Sequence, residues 1–203
     1  MAMENTKEYL KDPEAERRYF ETTVEFRKKD GEEESRTIEG YAAVFNSDSQ
    51  DLGGFVERIE PGAFDEVLND DVYGLLNHNI DKILGRNKRN LTLSVDEKGL
   101  KYVITLPDTP TANETRTLIK DGIIDKSSFA FKVKEQRWEH KAGQLSIRSI
   151  TKMKRLFDVS PVAGPAYLDT SVSTRSFAKE QENIKPCLSL ELRERRLQIL
   201  KHK

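Results

Sequence analysis

The chain has 203 residues, enough for one domain with a real core plus an appended segment. Hydrophobic residues make up 36% and charged residues 34%, a balance that implies a compact middle with polar ends. The 34 basic and 35 acidic residues nearly cancel, so there is no overall attraction for nucleic acid or anionic membrane; no apolar run approaches the roughly 20 residues needed to cross a bilayer.

Residues 1–18 are polar, with Asp12-Pro13 breaking any early helix, and read as a flexible leader lacking the apolar stretch of a signal peptide. From Phe20 the pattern alternates through Thr22, Val24 and Phe26, turns over Lys28 to Glu34, and resumes from Thr37 to Phe45 as a hairpin. Pro61-Gly62-Ala63-Phe64 follows Gly53 to Ile59, and Asp65 to Leu68 is expected to form a short helix. Val72 to Leu76 is an apolar run that ends at Asn77-His78-Asn79. A second hairpin is expected from Leu91–Val95 to Leu100–Leu106.

Thr111 to Gly122 has helical periodicity, with Gly122 as the stop. Phe129, Phe131 and Val133 mark a strand running to Trp138, His140 to Gly143 a turn, Leu145 to Ile150 a return strand, and Leu156 to Val162 a last strand. Beyond Arg175 the composition shifts to Lys, Glu, Gln and Asn, and Ser189 caps an amphipathic helix with Leu190, Leu197 and Leu200 on one face. The division expected is therefore a leader over 1–18, a domain over 19–175, and a linker with C-terminal helix over 176–203. The fold expected is mainly β with α decoration: a closed antiparallel β-barrel of about seven strands surrounded by short helices, with a sandwich as the alternative.

Cys187 is the one cysteine, which rules out an internal disulfide and fits a reducing compartment. The three histidines are far apart, so neither a metal site nor a cofactor is expected. A hydrolase without metal or usable cysteine needs a hydroxyl nucleophile, a histidine base and a group to orient that base. His202 is in the tail and His140 at a hairpin tip, while His78 closes a buried run. Ser127-Ser128 begins a strand, and Asp158 sits between Phe157 and Val159 within an apolar one. Taken singly, each has an ordinary alternative: a packed histidine, a turn-forming serine, a carboxylate in a salt bridge.

Several short stretches resemble, in order, the prohead maturation proteases of tailed bacteriophages, a family similar in fold to herpesvirus assemblin. They are Gly40-Tyr41-Ala42-Ala43-Val44-Phe45-Asn46, Gly54 to Ile59 with Pro61-Gly62-Ala63-Phe64, and Leu76-Asn77-His78-Asn79. They continue with Leu84-Gly85-Arg86, Gly99-Leu100, Leu106-Pro107, Ser128-Phe129-Ala130-Phe131 and Val159-Ser160-Pro161-Val162 leading to Pro165-Ala166-Tyr167, and together cover about residues 36 to 175. The family usually has glycine where Ala130 stands, and Gly-Thr-Leu where this chain has Arg89-Asn90-Leu91.

The resemblance implies a serine endopeptidase with His78 as general base, Ser128 rather than Ser127 as nucleophile, and Asp158 as the third member; assemblin-like enzymes use a second histidine there. An oxyanion donor is expected near Val162 to Gly164. It also implies the substrates and setting. Such an enzyme acts inside the immature capsid in the host bacterial cytoplasm, cutting scaffold or the scaffold-like arm of the major capsid protein, and itself. Portal and prohead shell are implied neighbours, and a homo-oligomer is compatible. A catalytically silent scaffold or assembly protein on the same fold is the alternative, and the lack of a Gly-x-Ser-x-Gly elbow at Ser128 speaks against an α/β-hydrolase.

Overall fold

The computed structural model describes residues 12–20, 22–27, 35–141, 143–164 and 172–182. Within them run ten strands: β1 (Glu16–Phe20), β2 (Val24–Phe26), β3 (Thr37–Val44), β4 (Phe55–Ile59), β5 (Tyr73–Leu76), β6 (Asn79–Arg86), β7 (Leu91–Val95), β8 (Gly99–Thr105), β9 (Lys126–Glu139) and β10 (Ser146–Val162). Two helices accompany them, α1 (Pro110–Lys120) and α2 (172–182). Neither is long and apolar enough to cross a membrane.

Alternation of side chains fixes the strands. β3 buries every second residue until Ala42 and Ala43, both buried, where the pairing with β8 slips by a bulge. β7 and β8 form the hairpin expected of Leu91–Val95 and its return. Its turn is held by Asp96, whose carboxylate accepts from the backbone of Lys98 and Gly99. Gly99 must be glycine, because a Cβ there would lie 2.0 Å from the carbonyl oxygen of Ala43. Helix α1 begins where Thr109 caps the Ala112 N–H with Pro110 at the first turn, and stops before Gly122 at φ +68°.

The expected closed antiparallel barrel is not what forms. The strands make two open sheets, one ordered β1-β9-β10-β5-β6 with β4 also on β10, the other β2-β3-β8-β7. β1 and β6 remain edges of the first, β2 and β7 of the second. The cause lies in β10, which pairs antiparallel with β9 and parallel with β4 and β5. Parallel neighbours need crossovers, so hairpins do not follow one another around a ring. One core serves both sheets: Ile38, Leu100, Tyr102 and Ile104 of the second pack with Phe129, Phe131, Leu156 and Val159 of the first.

Two local expectations also change. The two expected strands, Leu145–Ile150 and Leu156–Val162, merge into one of 17 residues, Ser146–Val162, because Met153 in the polar middle is buried and bulges absorb the register shifts around it. Residues 61–68 form successive turns, not a helix. Helix α2 runs across position 176, and Phe177 packs on Phe55 and Trp138, with ring centroids 5.0 and 5.4 Å apart. At the other end Glu16 to Arg18 belong to β1 and pair with β9. The expected helix from Ser189 to Lys201, and Cys187, lie outside the described residues.

Candidate active site

His78 occupies the second position of the two-residue turn Asn77-His78 between β5 and β6, across which Leu76 pairs with Asn79. Both turn residues have positive φ, +52° and +56°, the conformation of the tight hairpin turn that matches strand twist. Asparagine and histidine are among the few side chains that tolerate it. The turn is tied to the end of β10: Asn77 donates its N–H to the Pro161 carbonyl at 3.1 Å, and its Oδ1 accepts from the Ala163 N–H at 3.1 Å. That N–H, one of the expected oxyanion donors, is therefore already engaged. The His78 side chain is buried, at 2% exposure.

Ser128 lies near the start of β9, between Tyr19 of β1 and Ser160 of β10. Successive strand residues face opposite sides. Ser127 points into the core, where its Oγ is 2.9 Å from the Tyr102 hydroxyl, a phenol whose pKa burial pushes up. Ser128 points the other way, on the face of Ala130, which packs with Phe157. Asp158 sits on β10 opposite Ala130, beyond a register shift after Leu156, and is fully buried.

The three side chains named from the sequence are in direct contact. His78 Nδ1 is 2.6 Å from Asp158 Oδ1, and His78 Nε2 is 2.6 Å from Ser128 Oγ. With the carboxylate at Nδ1, the tautomer that fits carries its proton there and leaves Nε2 to accept. Ser160, a motif residue given no role from sequence, donates its hydroxyl to Asp158 Oδ1 at 2.7 Å. Its spacing of two from Asp158 on one strand puts both on one face, which was the available clue. His140 is elsewhere: its Nδ1 meets Ser146 Oγ at 2.8 Å and its ring stacks on Trp138.

The family model of the caudovirus prohead serine proteases matches residues 22–185. The chain belongs to that family. The match takes in Asp158, His78 and Ser128 and begins after β1. Comparison with curated proteins finds no match, and comparison with solved structures finds none either. Membership makes this a serine protease sequence of capsid maturation, with capsid-related substrates in general and the capsid as its place of action.

A second set of polar side chains is buried beside the first. Arg148 Nη1 donates to Glu57 Oε2 and Glu16 Oε2, each at 2.7 Å, and its Nη2 donates to Glu16 Oε1 at 2.9 Å. Arg18 Nη2 donates to Glu57 Oε2 at 2.9 Å. Its Nε lies 2.7 Å from Glu57 Oε1, a charge contact without the alignment of a hydrogen bond. Burial alone would raise the pKa of Glu16 and lower those of the two arginines. The opposite charges outweigh it, holding Glu16 below and Arg18 and Arg148 above their ordinary values. A cavity of about 730 Å³, lined in part by Glu16, Lys132, Gln136, Arg148 and Arg175, opens beside this network and does not reach the Asp158, His78 and Ser128 side chains.

Proposed function

We propose that Ser128 is the nucleophile, His78 the general base and Asp158 the orienting acid of a serine endopeptidase. Its substrates on this reading are scaffold or the scaffold-like arm of the major capsid protein, and the chain itself, inside the immature capsid in the host cytoplasm. The observation that carries the reading is the continuous line Asp158–His78–Ser128, with both imidazole nitrogens 2.6 Å from a partner.

Each step has a group to perform it. Ser128 Oγ adds to the scissile carbonyl carbon as its proton passes to His78 Nε2, while Asp158 holds Nδ1–H and stabilises the imidazolium that forms. The C–N bond then breaks, and the Nε2 proton goes to the departing amine. Water, deprotonated by the same nitrogen, releases the acyl group from Ser128. Ser160 keeps one Asp158 oxygen fixed, and the Asn77 contacts to Pro161 and Ala163 keep the turn fixed. Removing internal protein vacates volume for DNA and makes assembly irreversible, which is the physical value of such a cut.

Purified chain incubated with its cognate capsid protein tests this by mass spectrometry. Discrete fragments are expected from the wild type and from Ser127→Ala, and none from Ser128→Ala. Cleavage surviving Ser128→Ala and lost in Ser127→Ala would shift the nucleophile by one residue. A wild type that never cuts would favour the silent assembly protein.

A further inference from the structure

Nothing the size of a peptide reaches Ser128 in this structure. The residue is fully buried, and the space adjoining it, between β1 and the loop at Ser49 to Leu52, is about 10 Å³, room for one water. What covers it is β1. Tyr19 pairs with Ser128 and Arg18 with Phe129, and Ser128 Oγ donates to the Arg18 carbonyl oxygen at 2.8 Å. A serine hydroxyl has one hydrogen, so the Arg18 carbonyl competes with His78 Nε2 for the proton the base must take. β1 is also the outermost strand of its sheet, and the stretch that matches the family starts at residue 22, after it. Without β1, β9 would offer a free antiparallel edge beside the nucleophile, which an extended peptide can join.

The side chains of this segment fit an ionic template. Asp12 and Glu14 both reach Lys132 of β9, at 3.2 and 2.6 Å. Glu16 takes Arg148, and Arg18 takes Glu57. Acidic residues at alternate positions therefore meet Lys132 and Arg148, and a basic residue two further on meets Glu57, with its carbonyl at Ser128. Glu57 and Arg148 also bond each other at 2.7 Å, so that pair stays matched when the segment leaves and the template keeps the positive charge of Lys132 for an acidic residue.

We infer that β1 occupies the place of the substrate strand, and that the substrate is an extended acidic segment ending in a basic residue, read by Lys132, Arg148 and Glu57. The inference rests on Ser128 as the nucleophile. Its test can fail separately from that assignment. The probe is a fluorophosphonate, which phosphonylates an activated serine hydroxyl with loss of fluoride, applied to the full chain. Amide hydrogen exchange is followed in parallel.

In Glu16→Ala/Arg18→Ala, the amides of residues 127–131 should lose protection while those of β5 and β10 keep theirs. Labelling of Ser128 should speed up about tenfold or more, as expected when a closed state is loosened by ~1.4 kcal/mol. A synthetic peptide copying residues 12–20 should restore protection and slow labelling, and a copy with alanine for Glu16 and Arg18 should do neither. Arg18→Glu, which sets three carboxylates against one arginine, should free β1 more completely. Freed β9 amides with labelling unchanged or slower would overturn the inference, since β1 would then be part of the working enzyme. So would continued protection of β9 in both variants, or peptides that act alike. Labelling that persists in Ser128→Ala would instead remove the nucleophile assignment, and the exchange and peptide results would still decide what β1 occupies.

Discussion

Asp158, His78 and Ser128 form an open line in which each group bonds the next, whereas Glu16, Arg18, Glu57 and Arg148 form a closed cluster of two positive and two negative charges. Both are buried on the same sheet, next to the same strand β1. The line has an end, Ser128, where a proton can leave and a bond can form. The cluster has no such end: its charges are matched within the four, and the other donors go to Gln136 Oε1 and the Arg17 carbonyl. Breaking the line should therefore cost rate and little stability, and breaking the cluster should cost stability first.

The largest expected effect is on catalysis. His78→Ala and Ser128→Ala should each lower kcat on the order of 10⁴–10⁶-fold, with Asp158→Asn impaired less. Thermal melting of Ser128→Ala should stay near wild type, because one hydroxyl is lost. A Ser128→Ala protein that fails to fold would blur the distinction between the two sets.

Next comes the cluster. Glu57→Gln leaves Glu16 facing two buried arginines and should destabilise the fold by about 3–5 kcal/mol, read by denaturant unfolding. Loss of activity should follow loss of fold; in the folded fraction kcat should remain while KM rises, since Glu57 is placed to read the substrate. If Glu57→Gln is as stable as wild type yet inactive, the cluster is part of the chemistry.

Acid should act on the cluster in a definite direction. The Glu16 pKa lies below its ordinary value in the folded chain. Its contribution is thus fully present above the ordinary glutamate range and is lost as pH falls through the depressed folded value. Hydrogen exchange at residues 127–131 should rise over that acid window. A rise confined to neutral or alkaline pH would contradict the pairing described.

Smaller effects sharpen the same contrast. Ser160→Ala should lower kcat about tenfold, the kinetic equivalent of ~1.4 kcal/mol, with KM little changed. His140→Ala should stay within about 0.5 kcal/mol of wild-type stability and keep its activity, since it meets Ser146, Trp138 and Glu180 at a hairpin end and none of Asp158, His78 and Ser128.

Much of the local structure was legible in the residues. The Leu91–Val95 hairpin and the helix ending before Gly122 follow from alternation, turn chemistry and the positive φ that glycine allows. The sheets were not legible, because strand periodicity says which face is buried and not which strand is the neighbour. Nothing in Phe55–Ile59 announces a parallel partner 91 residues on, at Ser146. β6 was missed as a strand because Asn79-Ile80-Asp81-Lys82-Ile83 lacks clean alternation, and as an edge strand it buries little before Leu84. His78, Ser128 and Asp158 could be named only through an ordered family resemblance, since each alone has a bland alternative. Ser160 had only its spacing of two from Asp158 as a clue, and the cover over Ser128 depends on a contact between distant segments, Arg18 to Ser128, that no local pattern encodes.

The most direct measurement is a mutant cycle on the line itself, using cleavage of the cognate capsid protein with His78→Ala, Ser128→Ala and the double variant. If the two residues act as one unit, the double variant loses no more rate than either single variant. Losses that multiply, or a single variant that keeps near wild-type rate, would contradict the proposed roles of His78 and Ser128.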